Sequence, residues 1–294
     1  MKVVLELNNP KLLEQKDVEA FLVGVKGLSL RASETYDDLE PIIKKAHELN
    51  KKVFLNAMDV IMEKDVLVFF DLLKKVLTIS FDGVFYTDFA VLEMLSKLNY
   101  QGLKCYFPTT YITNAKDRDL LLNFNDIVLA SPEVSKDELK EMVNENTAVI
   151  LFGELALFHS KRKLLSRYFE YRNFDEMHDS AKLDVPNYMI KEEFRQELYP
   201  VIEDDEGFHI FMEGYYTLMC DREILEKAGY GIILTSFLDY EDLSKVVASF
   251  IKYQNGFINK EELWHNLSNL KLPLKLSTGM LNQKTVLIKE ENNV

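Results

Sequence analysis

The sequence predicts an α/β fold in the form of a (β/α)₈ barrel, and three observations lead there. About eight short runs rich in Val, Ile, Leu and Phe alternate with helix-patterned segments between residues 1 and 255. A strand, a crossover helix and a further strand bring the chain back to the same end of a sheet, so the alternation implies parallel pairing. The strand count matches a TIM-like barrel, with a doubly wound open sheet as the other arrangement the pattern allows. The third observation is a long excursion, about residues 153–230, before the last strand, with a small appendage at 256–294.

Val3–Leu7 reads as the first strand, followed by a short helix over Lys11–Gln15 behind Asn8-Asn9-Pro10. Ala20–Val25 is the second strand, with Gly24 and Gly27 at its end. A helix is expected to start near Asp38, capped by Asp37 or Asp38, with Pro41 in its first turn. Leu39, Ile42, Ile43, Ala46 and Leu49 recur at helical spacing and should face the sheet. Val53–Asn56, Gly83–Thr87, Leu103–Phe107, Ile127–Ala130 and Ala148–Phe152 are the third to seventh strands. Between them, helices are expected over Lys64–Val76, Phe89–Leu98 and Lys116–Leu122 and after Ser135. Ser135 and Glu138 have the spacing of a reciprocal capping box.

Within the excursion lie a basic-aromatic stretch, a polar segment through Pro186 and an acidic run, Glu203–Glu206. A helix over Asp221–Ala228 leads to the last strand, Gly231–Thr235. The next helix starts at Asp239 and turns Leu243, Val246, Val247, Phe250 and Ile251 inward. In the tail, Asn259–Leu267 reads as a capped helix and Lys271–Ile288 as a hairpin or small β element.

Composition bounds the function. Apolar residues make up 47% and charged residues 28% of 294, which suits a globular chain. No apolar run approaches the roughly 20 residues that span a bilayer. The start, Met1–Leu7, is too short and acidic for a secretory signal. Two cysteines, Cys105 and Cys220, exclude a disulfide framework and fit a reducing cytoplasm. The net charge is −13, so any RNA contact is confined to a local patch or made by a partner chain.

No familiar catalytic motif is present: neither HExxH nor GxSxG occurs. Cys105 falls on a buried strand, where an apolar setting holds a thiol protonated. Cys220 lies near a helix start with no histidine close in sequence. The histidines, His47, His159, His178, His209 and His265, show no metal-ligand spacing on one element. These residues define no catalytic group and no metal ligand. What stands out is Leu151–Arg172, where Lys161, Arg162, Lys163 and Arg167 form a basic patch beside Tyr168, Phe169 and Tyr171. Its plainest reading is an exposed basic loop and helix.

HSKRKLLSRYFEYR (His159–Arg172), followed by LYPVIEDDEGFHIF (Leu198–Phe211), resembles the signature region of the peptidase U32 family. GLSLRAS (Gly27–Ser33), VFLNAMD (Val53–Asp59) and TYITN (Thr110–Asn114) extend the resemblance over about residues 1–255. The family includes collagenase-like proteases and RNA-hydroxylation proteins, and the chain is most similar to its short, cysteine-poor members. The resemblance implies a barrel, distorted by the excursion.

Many U32 members hold an iron–sulfur cluster on four cysteines. Matched residue by residue, the first two cysteine positions are Ala156 and Lys163, and a later one falls at about Thr217. The histidine that precedes the motif glycine is Phe152 here. The resemblance therefore implies no cluster and no other cofactor in this chain. Arg31, Asn56, Asp88 and Asn114, at or just past predicted strand ends, remain with His159, Ser160 and Arg162 of the signature stretch as a candidate binding pocket. The implied function is an auxiliary subunit, without catalysis of its own, in prephenate-dependent 5-hydroxylation of tRNA wobble uridine. It would pair with a longer, cysteine-bearing U32 paralogue. A collagenase-like peptidase and a small-molecule-binding barrel without turnover are the alternatives.

Overall fold

A computed structural model describes residues 1–30, 38–108, 112–172, 188–194, 196–204, 207–235 and 237–284. In it the first seven strands are β1 (Lys2–Glu6), β2 (Ala20–Gly24), β3 (Lys52–Ala57), β4 (Gly83–Tyr86), β5 (Leu103–Tyr106), β6 (Ile127–Leu129) and β7 (Thr147–Gly153). Between them run α1 (Glu40–Glu48), α2 (Val66–Val76), α3 (Phe89–Lys97), α4 (Ala115–Leu121) and α5 (Lys136–Met142). The excursion contributes β8 (Ala156–Ser160), α6 (Leu164–Arg172), β9 (Tyr188–Lys191), β10 (Leu198–Asp204), β11 (Gly207–Phe211) and β12 (Gly214–Thr217). The chain closes with α7 (Arg222–Lys227), β13 (Tyr230–Ile233), α8 (Tyr240–Gln254), α9 (Lys260–Ser268) and β14 (Lys275–Ser277).

Strands β1 to β7 pair in parallel in sequence order, and β13 pairs in parallel with both β1 and β7. That closes an eight-stranded barrel, as the alternation predicted, and excludes the open sheet. Buried residues run continuously along these strands, for example Val3, Val4 and Leu5 and Val53, Phe54 and Leu55, as expected for parallel strands covered on both faces. An irregularity opposite Leu151 shifts the β7–β13 register, so that Ile232 faces Ile150 while Ile233 faces Phe152. The barrel is distorted there. Beyond the short β6, the end of β7 pairs antiparallel with β12 at Gly153 and Phe152.

Gly153 lies where the chain leaves the barrel. Its φ is +134°, and a Cβ there would meet Leu234 Cβ at 2.5 Å. Only glycine tolerates both the conformation and the approach.

Several local expectations are corrected. Asp38 does not cap α1: the N-cap is Leu39, already in the α region, with no side-chain cap bond, and Asp37 lies outside the described residues. Leu49 is the C-cap of that helix and is 42% exposed rather than turned to the sheet. The helix expected from Lys64 begins as a 3-10 turn, Glu63–Asp65, before α2. The tail forms no hairpin among the described residues. Instead β14 pairs in parallel with β12, and Thr285–Ile288 lie outside the described residues. The capping box of Ser135 and Glu138 forms as expected, and Asn259 and Glu262 make a second one at α9. Leu263 and Leu267 of α9 join the same core cluster as the barrel.

No described helix is long and apolar enough to cross a membrane. At the end of the barrel where the strands begin, Lys51 Nζ donates to the carbonyls of Gln15, Lys16 and Val18 at 2.7, 3.0 and 2.6 Å. One ammonium thus fixes the turn between β1 and β2. Lys51→Met leaves those carbonyls short of a donor, and urea unfolding should show a loss of about 2 kcal/mol with an unchanged slope.

Candidate functional site

The site is built on the barrel end where the strands finish. Asn56, fully buried at the end of β3, accepts from Met58 N through Oδ1 at 3.2 Å. Its backbone carbonyl accepts from Ser29 Oγ at 2.6 Å. Asp88 caps α3 by accepting from Ala90 N at 2.9 Å, and its other oxygen accepts from Ile61 N at 3.3 Å. Asn56 and Asp88 therefore hold the loop 58–62 from its two sides.

That loop presents Asp59, which is only 8% exposed. Lys161 Nζ donates to both Asp59 oxygens, at 2.5 and 2.7 Å. This pair joins the barrel rim to the turn after β8. Two further buried carboxylates brace another part of the same rim. Glu6 accepts from Thr235 N and Glu154 from Phe237 N, each at 2.9 Å.

Above the rim lies a four-stranded antiparallel sheet in the order β8-β11-β10-β9. His159, His209 and Ile202 occupy directly opposed positions, so they share one face. Phe211 shares it too, and packs edge-on against Phe237 of the barrel rim at 5.1 Å. That contact turns this face toward the barrel. His159 and His209 stack with ring centroids 4.7 Å apart. His209 is 2% exposed, with Nε2 at 3.5 Å from Asp204 Oδ1.

The other face carries α6. Glu203, on β10, accepts from Leu165 N at 2.8 Å and Ser166 N at 3.1 Å, and Ser166 Oγ also donates to it. A carboxylate at the first amides satisfies donors that the helix itself leaves open. Phe169 packs against Tyr188 at 5.3 Å, fixing the inner side of α6. Gly207, at φ +131°, sits so close to Ser160 that a Cβ would lie 2.2 Å from its carbonyl oxygen. The start of β11 thus packs directly on the basic turn.

The expected pocket residues separate into groups. Asn56 and Asp88 sit together at the rim and hold backbone. Asn114 is exposed and caps α4, accepting from Lys116 N and Asp117 N, so its visible role is to start that helix. His159 lies under the sheet, while Ser160 Oγ accepts from Arg162 N at 3.2 Å and starts the basic turn. Arg162, Lys163 and Arg167 of the basic patch are exposed, but Lys161 is half-buried on Asp59. Arg31 lies outside the described residues. Asp59, Glu203, Glu6 and Glu154 were absent from the expected site. A lone acid in an apolar run was the available signal for Glu6, and the end of VFLNAMD for Asp59.

Ala156 opens β8, Lys163 precedes α6 and Thr217 ends β12, so the positions matched to cluster ligands supply no sulfur. Those side chains do not fit an iron–sulfur cluster. Phe152, at the histidine position, stacks on Tyr215 at 5.3 Å. Cys105 is fully buried, and burial pushes its thiol well above the ordinary range. Burial also raises the Cys220 thiol, so its place before α7 does not activate it. Among the described residues, no group of three or more His, Cys, Asp and Glu is placed to hold a metal ion.

Comparison with known proteins gives a consistent family. The model of peptidase family U32 matches residues 6–233. The tRNA hydroxylation protein P2 of Bacillus subtilis is 26% identical over 233 residues, which covers 74% of this chain and 72% of that protein. The uncharacterized protease MJ0090 of Methanocaldococcus jannaschii is 27% identical over 187 residues, or 57% of this chain and 45% of that one. The chain thus spans less than half of the second relative. The solved structure of the U32 peptidase Mk0906 aligns at 15% identity with a TM-score of 0.49, covering 81% of this chain and 94% of that one.

Two outcomes test this geometry. Because burial raises both thiols, iodoacetamide at neutral pH should label Cys220 slowly and Cys105 only after unfolding; rapid labelling of native Cys105 would contradict its placement. Replacing Glu203 with Leu removes the cap of α6, and hydrogen exchange at Leu165 and Ser166 should accelerate by about fivefold, in line with roughly 1 kcal/mol for a lost cap.

Proposed function

This chain belongs to peptidase family U32, and from that premise we propose that it serves tRNA wobble-uridine 5-hydroxylation as an auxiliary subunit. The observation that carries the proposal is the similarity to tRNA hydroxylation protein P2 over about three quarters of both chains. The sulfur-free positions Ala156, Lys163 and Thr217 support an auxiliary part, since a cluster-dependent step then falls to a longer, cysteine-bearing U32 partner. A basic patch confined to one turn and helix, in a chain of net charge −13, supports local contact with RNA. Asn56, Asp88, His159 and Ser160 contribute to this role by shaping and holding the rim on which the patch stands, and Arg162 contributes as part of the patch.

The similarity to the uncharacterized protease of Methanocaldococcus supports a peptidase as the second reading. It has less support here, because burial keeps both thiols protonated and no serine or metal motif accompanies them. Cleavage of gelatin by the pure protein would favour it.

Deletion of the gene, in cells without a redundant hydroxylation route, should remove 5-hydroxyuridine and its derivatives from tRNA, read by nucleoside mass spectrometry. Unchanged modification would defeat the tRNA reading. Arg162→Ala should reduce modification while leaving the melting temperature within about 1 °C, because the side chain is exposed.

A further inference from the structure

We propose that the outward face of α6 is a binding site for single-stranded RNA, with Tyr168 and Tyr171 stacking bases and Arg162, Arg167 and Arg172 holding phosphates. The proposal deepens the tRNA reading, on which it rests for the biological source of the strand. Its choice of ligand class comes from the surface itself.

Residues 161–172 carry five cations and one acid, Glu170, within a strongly acidic chain. Lys161 is committed to Asp59, which leaves the arginines for a ligand. Arg162, Arg167 and Arg172 are exposed and make no ion pair among the described residues. Interleaved with them, Tyr171 is 82% and Tyr168 is 53% exposed. On a helix, residues three and four apart are neighbours, so Tyr168 adjoins both Tyr171 and Arg172, and Arg167 adjoins Tyr171. Alternating guanidinium and phenol groups match a strand of alternating phosphates and bases.

The anchoring of α6 favours this assignment. Its first amides already hold the Glu203 carboxylate, so an incoming phosphate is bound by side chains and not by the helix end. Phe169 and the Glu203 cap fix the helix before the ligand arrives, which limits the ordering cost of binding. A duplex is a poor match, because A-form RNA keeps its bases stacked and its major groove closed to side chains. A loop with splayed bases fits. A protein partner is the competing class, but the exposed residues of α6 are Arg167, Arg172, Tyr168, Tyr171 and Glu170, with only Leu164 as an aliphatic residue.

The test uses the full chain and a fluorescein-labelled short oligouridylate, with anisotropy followed at several KCl concentrations. Binding should weaken with salt with a logarithmic slope of about −2, as expected for three phosphate contacts on a single strand. The double variant Tyr168→Ala/Tyr171→Ala should weaken binding at least about tenfold at an unchanged slope. Arg167→Ala should weaken binding and reduce the slope by about 0.7. Lys252→Ala on α8 should change neither, and equal melting temperatures should show that all variants fold. The site is overturned by absent binding, by binding that the α6 variants leave intact, or by equal affinity for a blunt RNA duplex. Capture of a protein that the same variants abolish, without RNA binding, overturns it in favour of protein docking. In cells, a Tyr168→Ala/Tyr171→Ala strain with full 5-hydroxyuridine beside a deletion strain that lacks it removes the α6 site and leaves the tRNA reading. RNA binding lost in the variants, with normal hydroxyuridine in the deletion strain, removes the reading and leaves the site.

Discussion

Ring closure through β13 is the constraint on which the rest depends. The strand must hydrogen-bond to β1 on one side and β7 on the other, yet it begins at Tyr230, far downstream of Gly153. A parallel barrel strand leaves its insertion at the end where the strand finishes, so everything between β7 and β13 is launched from the rim that holds functional loops in barrel proteins. The four-stranded sheet, α6 and the basic turn occupy that rim for this topological reason. Closure also removes the sheet edges that parallel strands would otherwise expose.

The acids at the rim and the one beneath α6 share one use. Glu6, Glu154, Asp59, Asp88 and Glu203 accept from backbone amides or from Lys161. Hydrogen bonds to an ionised acceptor are the stronger kind, so a few carboxylates can organise several loops at once. Part of the chain's acidity is thereby structural. The basic turn stands against this background, which sharpens its contrast with the surrounding surface.

The barrel was legible because its signals are local. Continuous apolar runs, Gly153, and the Ser135 and Asn259 caps each state their structure within a few residues. The second sheet was not, since β8, β10 and β11 lie amid charged and aromatic residues with no clean alternation, and their pairing is antiparallel across turns the pattern does not mark. Of the expected site residues, Asn56 and Asp88 hold backbone at the rim, and Asp88 and Asn114 each start a helix, because an Asp or Asn before a helix looks the same whether it caps or binds. Lys161 read as one cation among four, and nothing local marks it as the partner of an aspartate 102 residues away.

The cap on α6 comes from a different strand, and this bears on how the signature stretch can be handled. Nine residues are too few for a helix to persist alone in water. Cut out as a peptide or grafted onto another scaffold, His159–Arg172 would lose the carboxylate that starts it and unravel. In this chain the two signature segments accordingly stand or fall together, and a change in β10 can disorder an outward surface it never touches.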